Sequence, residues 1–377
     1  MTEEVSHRLS VAPMMAVTDR HFRCLFRHLS RRSKLYTEML VDQTLLHQRD
    51  HLWHYLGHGP GEEPLAVQLG GNDPDSLAEA AEMCEQWNFT EINLNCGCPS
   101  PKVSGRCFGA RLMLDPERVR QIMSCMIRKV SRTPVTVKCR IGVDNNNSYE
   151  DLVTFVQAVQ SAGVDHIIVH ARTCMLNGLS PSANRTIPPL QYDVVHRLAA
   201  EFPELTVVIN GGITSVGDVN DHLLGRREGG YRGVGGVMVG RAAYNNPWAF
   251  RHADSVIFGS QDQGLTRREI VHSYLDCFDT FMEEFVNHRK QLPDGMGKER
   301  LSTGLMLKPI TFLSSGFKGS RRFRQELNDL VQKTPRLNPD ADELRDMVQE
   351  ALKQLPNTIL DEPVGDPPED PWTGLGT

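Results

Sequence analysis

Along the first two-thirds of the chain, short apolar runs alternate with amphipathic stretches in one repeated rhythm. Eight runs rich in β-branched residues predict strands at Leu9–Ala12, Leu35–Glu38, Leu65–Leu69, Glu91–Leu94, Val135–Cys139, His166–Val169, Thr206–Ile209 and Gly236–Val239. Each is short and closes on a polar or glycine turn. Between them, apolar positions recur at helical spacing, which predicts helices over Asp19–Leu29, Tyr149–Ala162, Leu190–Glu201, Ser215–Leu224 and Ala242–Phe250, the first with Thr18 as its N-cap. Two more helices open at Asp73-Pro74 and Asp115-Pro116, an N-cap followed by proline at the first helical position. Strands alternating with helices imply a parallel sheet. Eight such units in about 250 residues match an α/β fold of the closed (β/α)8 TIM barrel type. An open doubly wound sheet is the alternative, but it usually carries a glycine-rich turn after its first strand. Here that strand runs into Pro13-Met14-Met15.

From about Thr266 the strand-like runs cease, and Arg267–Phe285, Glu299–Leu313, Ser320–Gln332 and Ala341–Leu355 all read as helices. This predicts a small all-helical C-terminal domain over 265–355, after a catalytic barrel over 8–258 and a disordered N-terminus over 1–7. The last 22 residues, from Pro356, hold five acids, five prolines and no Lys or Arg, which predicts a disordered tail.

Composition narrows the setting. No apolar run reaches the roughly 18 residues needed to cross a membrane, and the acidic start Met-Thr-Glu-Glu-Val lacks the apolar core of a signal peptide. A cytoplasmic protein without membrane contact is expected. Nine cysteines, an odd number, favour free thiols over a disulfide framework. No pair has the C-x-x-C spacing of a structural zinc site, so no metal is expected. A net charge of −6 argues against indiscriminate coating of nucleic acid and leaves room for a local basic face.

Active sites of this barrel lie at the C-terminal ends of the strands, so the residues following each strand are the candidates. Gln68 and Gly70-Gly71 follow the third strand, and Asn95-Cys96-Gly97-Cys98-Pro99-Ser100 follows the fourth. The fifth carries Lys138 and ends Cys139-Arg140, and the sixth ends His170-Ala171-Arg172. The seventh ends Asn210-Gly211-Gly212, and the eighth Gly240-Arg241. Barrels commonly bind phosphate after strands seven and eight, where glycine lets backbone N–H groups approach the anion. Arg241 would add a fixed charge; tight βα turns would need the same glycines. Lys138 near the barrel centre is costly unless it meets an anion or a structural ion pair. His170 reads alone as a core histidine, but beside Lys138 and a phosphate site it becomes a cofactor contact. Cys98 sits in a glycine–proline loop rather than a core. A thiol of ordinary acidity keeps its proton at neutral pH and can serve as a general acid.

These residues carry a resemblance. The chain resembles the tRNA-dihydrouridine synthases, and is most similar to their A-type members, through APMMAVTDR (Ala12–Arg20), YTEM (Tyr36–Met39), QLGG (Gln68–Gly71) and INLNCGCPS (Ile92–Ser100). The match continues through Phe108–Ala110, Leu112-Met113, VKCRIG (Val137–Gly142), VHAR (Val169–Arg172), GLSP (Gly178–Pro181), Asn184-Arg185, Ile187–Leu190, INGG (Ile209–Gly212) and VMVGR (Val237–Arg241). These stretches run in order through the whole barrel.

The resemblance implies reduction of uridine to 5,6-dihydrouridine in the tRNA D-loop, at positions 20 and 20a, with FMN as cofactor and NADPH as reductant. It implies that Gln68, Lys138, His170, Asn210, Gly211, Gly212, Gly240 and Arg241 hold FMN, with Pro13, Met14 and Met15 backing the ring. Cys98 becomes the proton donor, and Asn95, Arg172 and Arg185 face the uracil. In the helical domain Lys318, Arg321, Arg322 and Arg324 put four cations within seven residues, a natural partner for RNA phosphates or else a solvated helix face. A monomer is expected. Two departures stand out: Cys96 replaces the usual aliphatic residue before Gly97, and Ser104-Gly105-Arg106-Cys107 sets its glycine one residue early. A small-molecule FMN oxidoreductase, of the ene-reductase or free-pyrimidine type, would share the barrel but has no need of the helical domain.

Overall fold

The computed structural model describes residues 3–59, 61–100, 107–226, 232–291, 302–333 and 340–367. Eight strands, β1 (Leu9–Val11), β2 (Lys34–Val41), β3 (Leu65–Gly70), β4 (Glu91–Asn95), β5 (Val135–Arg140), β6 (His166–His170), β7 (Thr206–Asn210) and β8 (Gly236–Val239), pair in parallel as a closed barrel. β1 pairs with β8, with Val11 opposite Val239. The apolar runs are buried along almost their whole length, as strands covered on both faces require. Ala12, Tyr36, Ala66, Ile168, Val208 and Met238 form one layer of the core.

A buried polar cluster closes the N-terminal end. Glu91, the first residue of β4, meets the Lys34 ammonium at 2.8 Å and accepts from Thr136 Oγ1 at 2.6 Å. Burial pushes its carboxyl up, but the Lys34 charge and these hydrogen bonds prevail and hold it down to about 2. The interior charge is thus neutralised at the N-terminal end of the barrel, away from the C-terminal strand ends.

The helices follow their caps. The Asp73 and Asp115 side chains accept from Ser76 and Arg118 N–H groups and open Pro74–Glu85 and Pro116–Lys129. The first helix starts one residue later than expected. Asp19, not Thr18, caps Arg20–Arg27, while Thr18 Oγ1 accepts from Met14 N–H at 3.0 Å and braces the loop after β1. Ala242–Phe250 is not one helix: Arg241–Asn245 is α-helical and Pro247–Phe250 a 3-10 turn, because Pro247 has no N–H to continue the ladder. The N-terminus is also better ordered than its composition suggests. Glu3–Arg8 forms a 3-10 helix, and the His7 ring meets His166 edge-on at 5.2 Å.

The chain forms two compact units, one of Met1–Thr18 with Arg32–Gly240 and one of Asp19–Arg31 with Arg241–Thr377. The boundary expected after residue 258 therefore lies inside the second unit, which begins directly after β8. Its described helices include Arg267–Gln291, Thr303–Leu307, Ser320–Lys333 and Ala341–Leu352. The helix expected over Glu299–Leu313 turns 3-10 over Lys308–Phe312, where Pro309 sits in its first turn. The expected disordered tail is corrected for its first part. Asn357–Leu360 is helical, Leu360 is buried, and the wholly buried Arg267 donates to Ile359 O at 3.0 Å and to Glu362 at 2.6 Å. Acidic residues that composition reads as solvated are here the partners of specific arginines.

Candidate active site

The strand ends of the first unit bring together most of the residues named from sequence. Strand register sets Asn95 opposite Lys138, Arg140 opposite His170, and His170 opposite Asn210. The Asn95–Lys138 pair thus lies two residues before the row Arg140–His170–Asn210, both rows at the C-terminal ends of the strands.

Lys138 reaches across from β5 to β7, where its Nζ donates to Asn210 Oδ1 at 3.0 Å; Asn210 Nδ2 in turn donates to Met238 O at 2.7 Å. Burial is the main force on this lysine and, with the nearby Arg140 charge, pulls its pKa down to about 8. Among the described residues no carboxylate pairs with it. A half-buried lysine that bonds a neutral amide and lies near a second cation is a site that an anion would satisfy.

Beyond Asn210, Gly211 and Gly212 hold φ values of +120° and +70°. A Cβ on Gly211 would lie 2.8 Å from the His170 ring, and one on Gly212 2.5 Å from Leu190. Close packing and backbone conformation both demand glycine there. Gly240 follows the neighbouring strand, and a Cβ there would meet open space. Arg241 is exposed and opens the short helix Arg241–Asn245 in the second unit. After β1, Pro13 and Met14 are half-buried and Met15 is 63% exposed.

The loop after β4 is held by its own side chains. Asn95 Oδ1 accepts from Gly97 N–H at 3.1 Å and Cys98 N–H at 3.0 Å, and Asn95 Nδ2 donates to Gln68 Oε1 at 2.8 Å. Gln68 Nε2 passes the chain on to Asn93 at 2.8 Å. Asn95 thus shapes the loop that carries Cys98, a role beyond the substrate contact expected of it. Cys98 is half-buried and Cys96 fully buried. Burial, reinforced by the neighbouring Cys139, pushes the Cys96 thiol well above its ordinary range, so it is an inert core thiol. Of the segment 104–107 only Cys107 lies among the described residues; it is exposed, with φ +60°.

Two residues that the sequence names without giving them a role hold the loops of this site. Arg140, 3% exposed, donates to Gly97 O at 3.0 Å, Asn184 O at 3.1 Å and Thr173 O at 3.3 Å. It clips the Cys98 loop to the loop after β6. Asn184, fully buried, exchanges hydrogen bonds with Met175 N–H at 2.7 Å and Met175 O at 2.8 Å. The available signal was the pair Lys138 and Arg140, two apart on one strand and so on one face. Arg172 donates to Thr186 O at 3.5 Å and also to Pro188 O, bracing the segment that follows the exposed Arg185.

The basic cluster belongs to the second unit. Lys318, Arg321 and Arg322 are exposed, whereas Arg324 is half-buried with its guanidinium 5.5 Å from the Phe312 ring centre. The four cations expected to act together therefore divide into three and one.

The described helices include none long and apolar enough to cross a membrane. The dihydrouridine synthase (Dus) family pattern matches residues 10–353. A tRNA-dihydrouridine(20/20a) synthase from Synechocystis sp. is 47% identical over 75% of this chain and 80% of its own length. Enzymes of the same name from Pseudomonas putida and Xanthomonas axonopodis are 41% and 42% identical over 88% and 86% of this chain, and 90% and 89% of their own. With the mouth of the barrel built as described and the family pattern running from β1 into the C-terminal helices, this chain belongs to the dihydrouridine synthase family.

Proposed function

We propose that the protein reduces the C5=C6 bond of uridines at positions 20 and 20a of the tRNA D-loop, as a cytoplasmic monomer using FMN and NADPH. The observation that carries this reading is the half-buried Lys138, which donates to Asn210 and meets no carboxylate among the described residues, beside a cysteine loop fastened by Asn95. The residues present suit FMN: the Lys138 ammonium meets no carboxylate among the described residues, and a Cβ on Gly240 would meet open space, so the backbone there is open to an anion. Gln68, Lys138, His170, Asn210, Gly211, Gly212, Gly240 and Arg241 would hold it, with Pro13, Met14 and Met15 beside them. When bound, FMN would supply hydride chemistry at C6 of the uracil, with NADPH as the reductant.

The chain's own part is positioning and proton transfer. Lys138 would offer a positive charge to the bound cofactor. The Cys98 thiol donates its proton to C5, and the thiolate regains one from solvent. One hydride and one proton thus saturate the bond, and NADPH becomes NADP+. Asn95 and Arg140 hold Cys98 in place, while Arg185 on the β6 loop, braced by Arg172, faces the base. The uracil has to leave the tRNA stack to reach this mouth, which the enzyme must favour by contacts elsewhere on the RNA. A small-molecule flavin oxidoreductase would explain the barrel but not the resemblance to tRNA-modifying enzymes over 325 residues and more. Mapping dihydrouridine in tRNA from cells with and without the protein tests the proposal. Loss at positions 20 and 20a is expected; an unchanged pattern together with colourless purified protein would overturn it.

A further inference from the structure

The second unit contains a cluster of soft donors that the reaction does not use. Cys24 lies on the helix Arg20–Arg27, His28 caps the end of that helix, and Cys277 lies on the helix Arg267–Gln291. The two sulfurs are 2.8 Å apart, Cys277 Sγ is 4.0 Å from His28 Nε2, and all three donor atoms lie within 4.8 Å of one another. We propose that Cys24, His28 and Cys277 bind a zinc(II) ion that staples these two helices together.

The geometry suits that ion. Zinc takes thiolate sulfur at about 2.3 Å and imidazole nitrogen at about 2.0–2.1 Å in a tetrahedron. The corresponding sulfur–sulfur and sulfur–nitrogen edges are about 3.8 and 3.6 Å, so the donors need side-chain adjustments of about an ångström and no new fold. Cys24 and His28 are four apart, the spacing that puts two side chains on one helical face. The cluster is only partly buried: Cys24 is 8% exposed, and His28 and Cys277 are half-buried. Water can therefore complete the fourth position. The neighbouring Tyr274 hydroxyl is spent on Met306 O at 2.5 Å, which leaves the sulfurs and the imidazole as the donor set. Zinc binding displaces the thiol protons to solvent and requires no oxidant. Cys24 and Cys277 are 253 residues apart, which is why no ligand spacing betrays the site in the sequence.

The test uses the full chain, reduced, stripped with a chelator and titrated with cobalt(II). The expected result is one equivalent bound with thiolate-to-cobalt charge-transfer absorption, displaced by zinc(II), and a higher melting temperature with zinc(II) than without. Cys277→Ser should abolish the absorption. His28→Ala should weaken binding at least about 10-fold, since loss of even a supporting partner costs about 10–100-fold in affinity. Cys125→Ser, on another helix, should leave binding unchanged. No thiolate absorption in the wild-type chain would overturn the proposal, as would absorption that survives both Cys277→Ser and His28→Ala. A Cys24–Cys277 disulfide in the protein as purified, with no cobalt uptake once reduced, would overturn it too.

Discussion

Asn95 Oδ1 accepts the backbone N–H of Cys98 at 3.0 Å, so a strand-end side chain fixes the position of the proposed proton donor. Cys98→Ala should leave flavin content and NADPH oxidation near wild type and lower uridine reduction by roughly 10²–10⁴, the usual share of a general acid. Cys96→Ala should do far less harm, because that thiol is wholly buried and burial holds it protonated. Single-turnover reduction of tRNA by pre-reduced enzyme separates the two; an essential Cys96 with a dispensable Cys98 would reverse the assignment. Asn95→Asp keeps the oxygen that accepts from Cys98 and should retain more activity than Asn95→Ala.

Arg140 ties Gly97 O to Thr173 O and Asn184 O, so its effect on chemistry runs through loop position. Arg140→Lys cannot reproduce three directed bonds from one planar group. The variant should bind flavin and accept electrons from NADPH normally, yet transfer them to tRNA at least about 10-fold more slowly, since small misplacements cost up to about 100-fold. A loss confined to flavin content would show that Arg140 serves the cofactor instead.

How much of this is legible from the chain depends on whether a residue acts locally. The strands stand out because runs such as Val135–Val137 and Thr206–Ile209 are buried along almost their whole length and β-branched throughout. Asp73 and Asp115 announce their helices because a cap and its proline are neighbours in sequence. Arg140 is silent because its partners are carbonyls, which every residue has, on loops 33 to 44 positions away, and Asn184 because it bonds the backbone of its own loop at Met175. The tail misleads because five acids and five prolines average to disorder, whereas Asp361 and Glu362 each meet one particular arginine.

Lys138 gives the free protein a pH signature. Its pKa falls from an ordinary 10.5 to about 8, chiefly through burial. Between those values the unfolded chain binds a proton that the folded chain does not, so stability rises with pH across that window. The gap corresponds to about 3 kcal/mol at most. Lys138→Met should remove this rise in urea denaturation of flavin-free protein from pH 8 to 10. Flavin affinity should move the opposite way, weakening above about pH 8 as the lysine loses its charge. A flat flavin affinity across that range would contradict an anion contact by Lys138.

Arg267 is almost wholly buried, with its guanidinium 3.9 Å from the Trp248 ring centre and 4.4 Å from Phe317. It donates to Leu313 O, Ile359 O and Glu362. Arg267→Met should cost roughly 2–3 kcal/mol in urea denaturation, because it strands buried carbonyls. Glu362→Gln should cost about 0.5 kcal/mol or less, since that carboxylate is 48% exposed and screened. Ending the chain at Pro356 should destabilise by about 1.5–3 kcal/mol through loss of the buried Leu360 alone. A truncated chain as stable as the full one would restore the view of this segment as a loose tail.

Lys318, Arg321 and Arg322 present three exposed cations, while Arg324 rests against Phe312. The chain carries a net charge of −6, so attraction to RNA must come from local patches of this kind. No acid lies between Lys318 and Arg324 to offset them. Replacing Lys318, Arg321 and Arg322 with alanine should weaken tRNA binding and flatten its dependence on salt. Each lost phosphate contact lowers the slope of log affinity against log salt by about 0.7–0.9, so a shift of about 2.1–2.7 is expected if all three engage. Flavin content and NADPH oxidation, which depend on the barrel mouth, should not change. Arg324→Ala should leave the salt slope alone and lower thermal stability slightly, because its guanidinium packs on a ring. A triple variant that holds wild-type affinity across the whole salt titration would move the RNA footprint off this helix, and a slope change from Arg324→Ala alone would put that arginine back among the phosphate contacts.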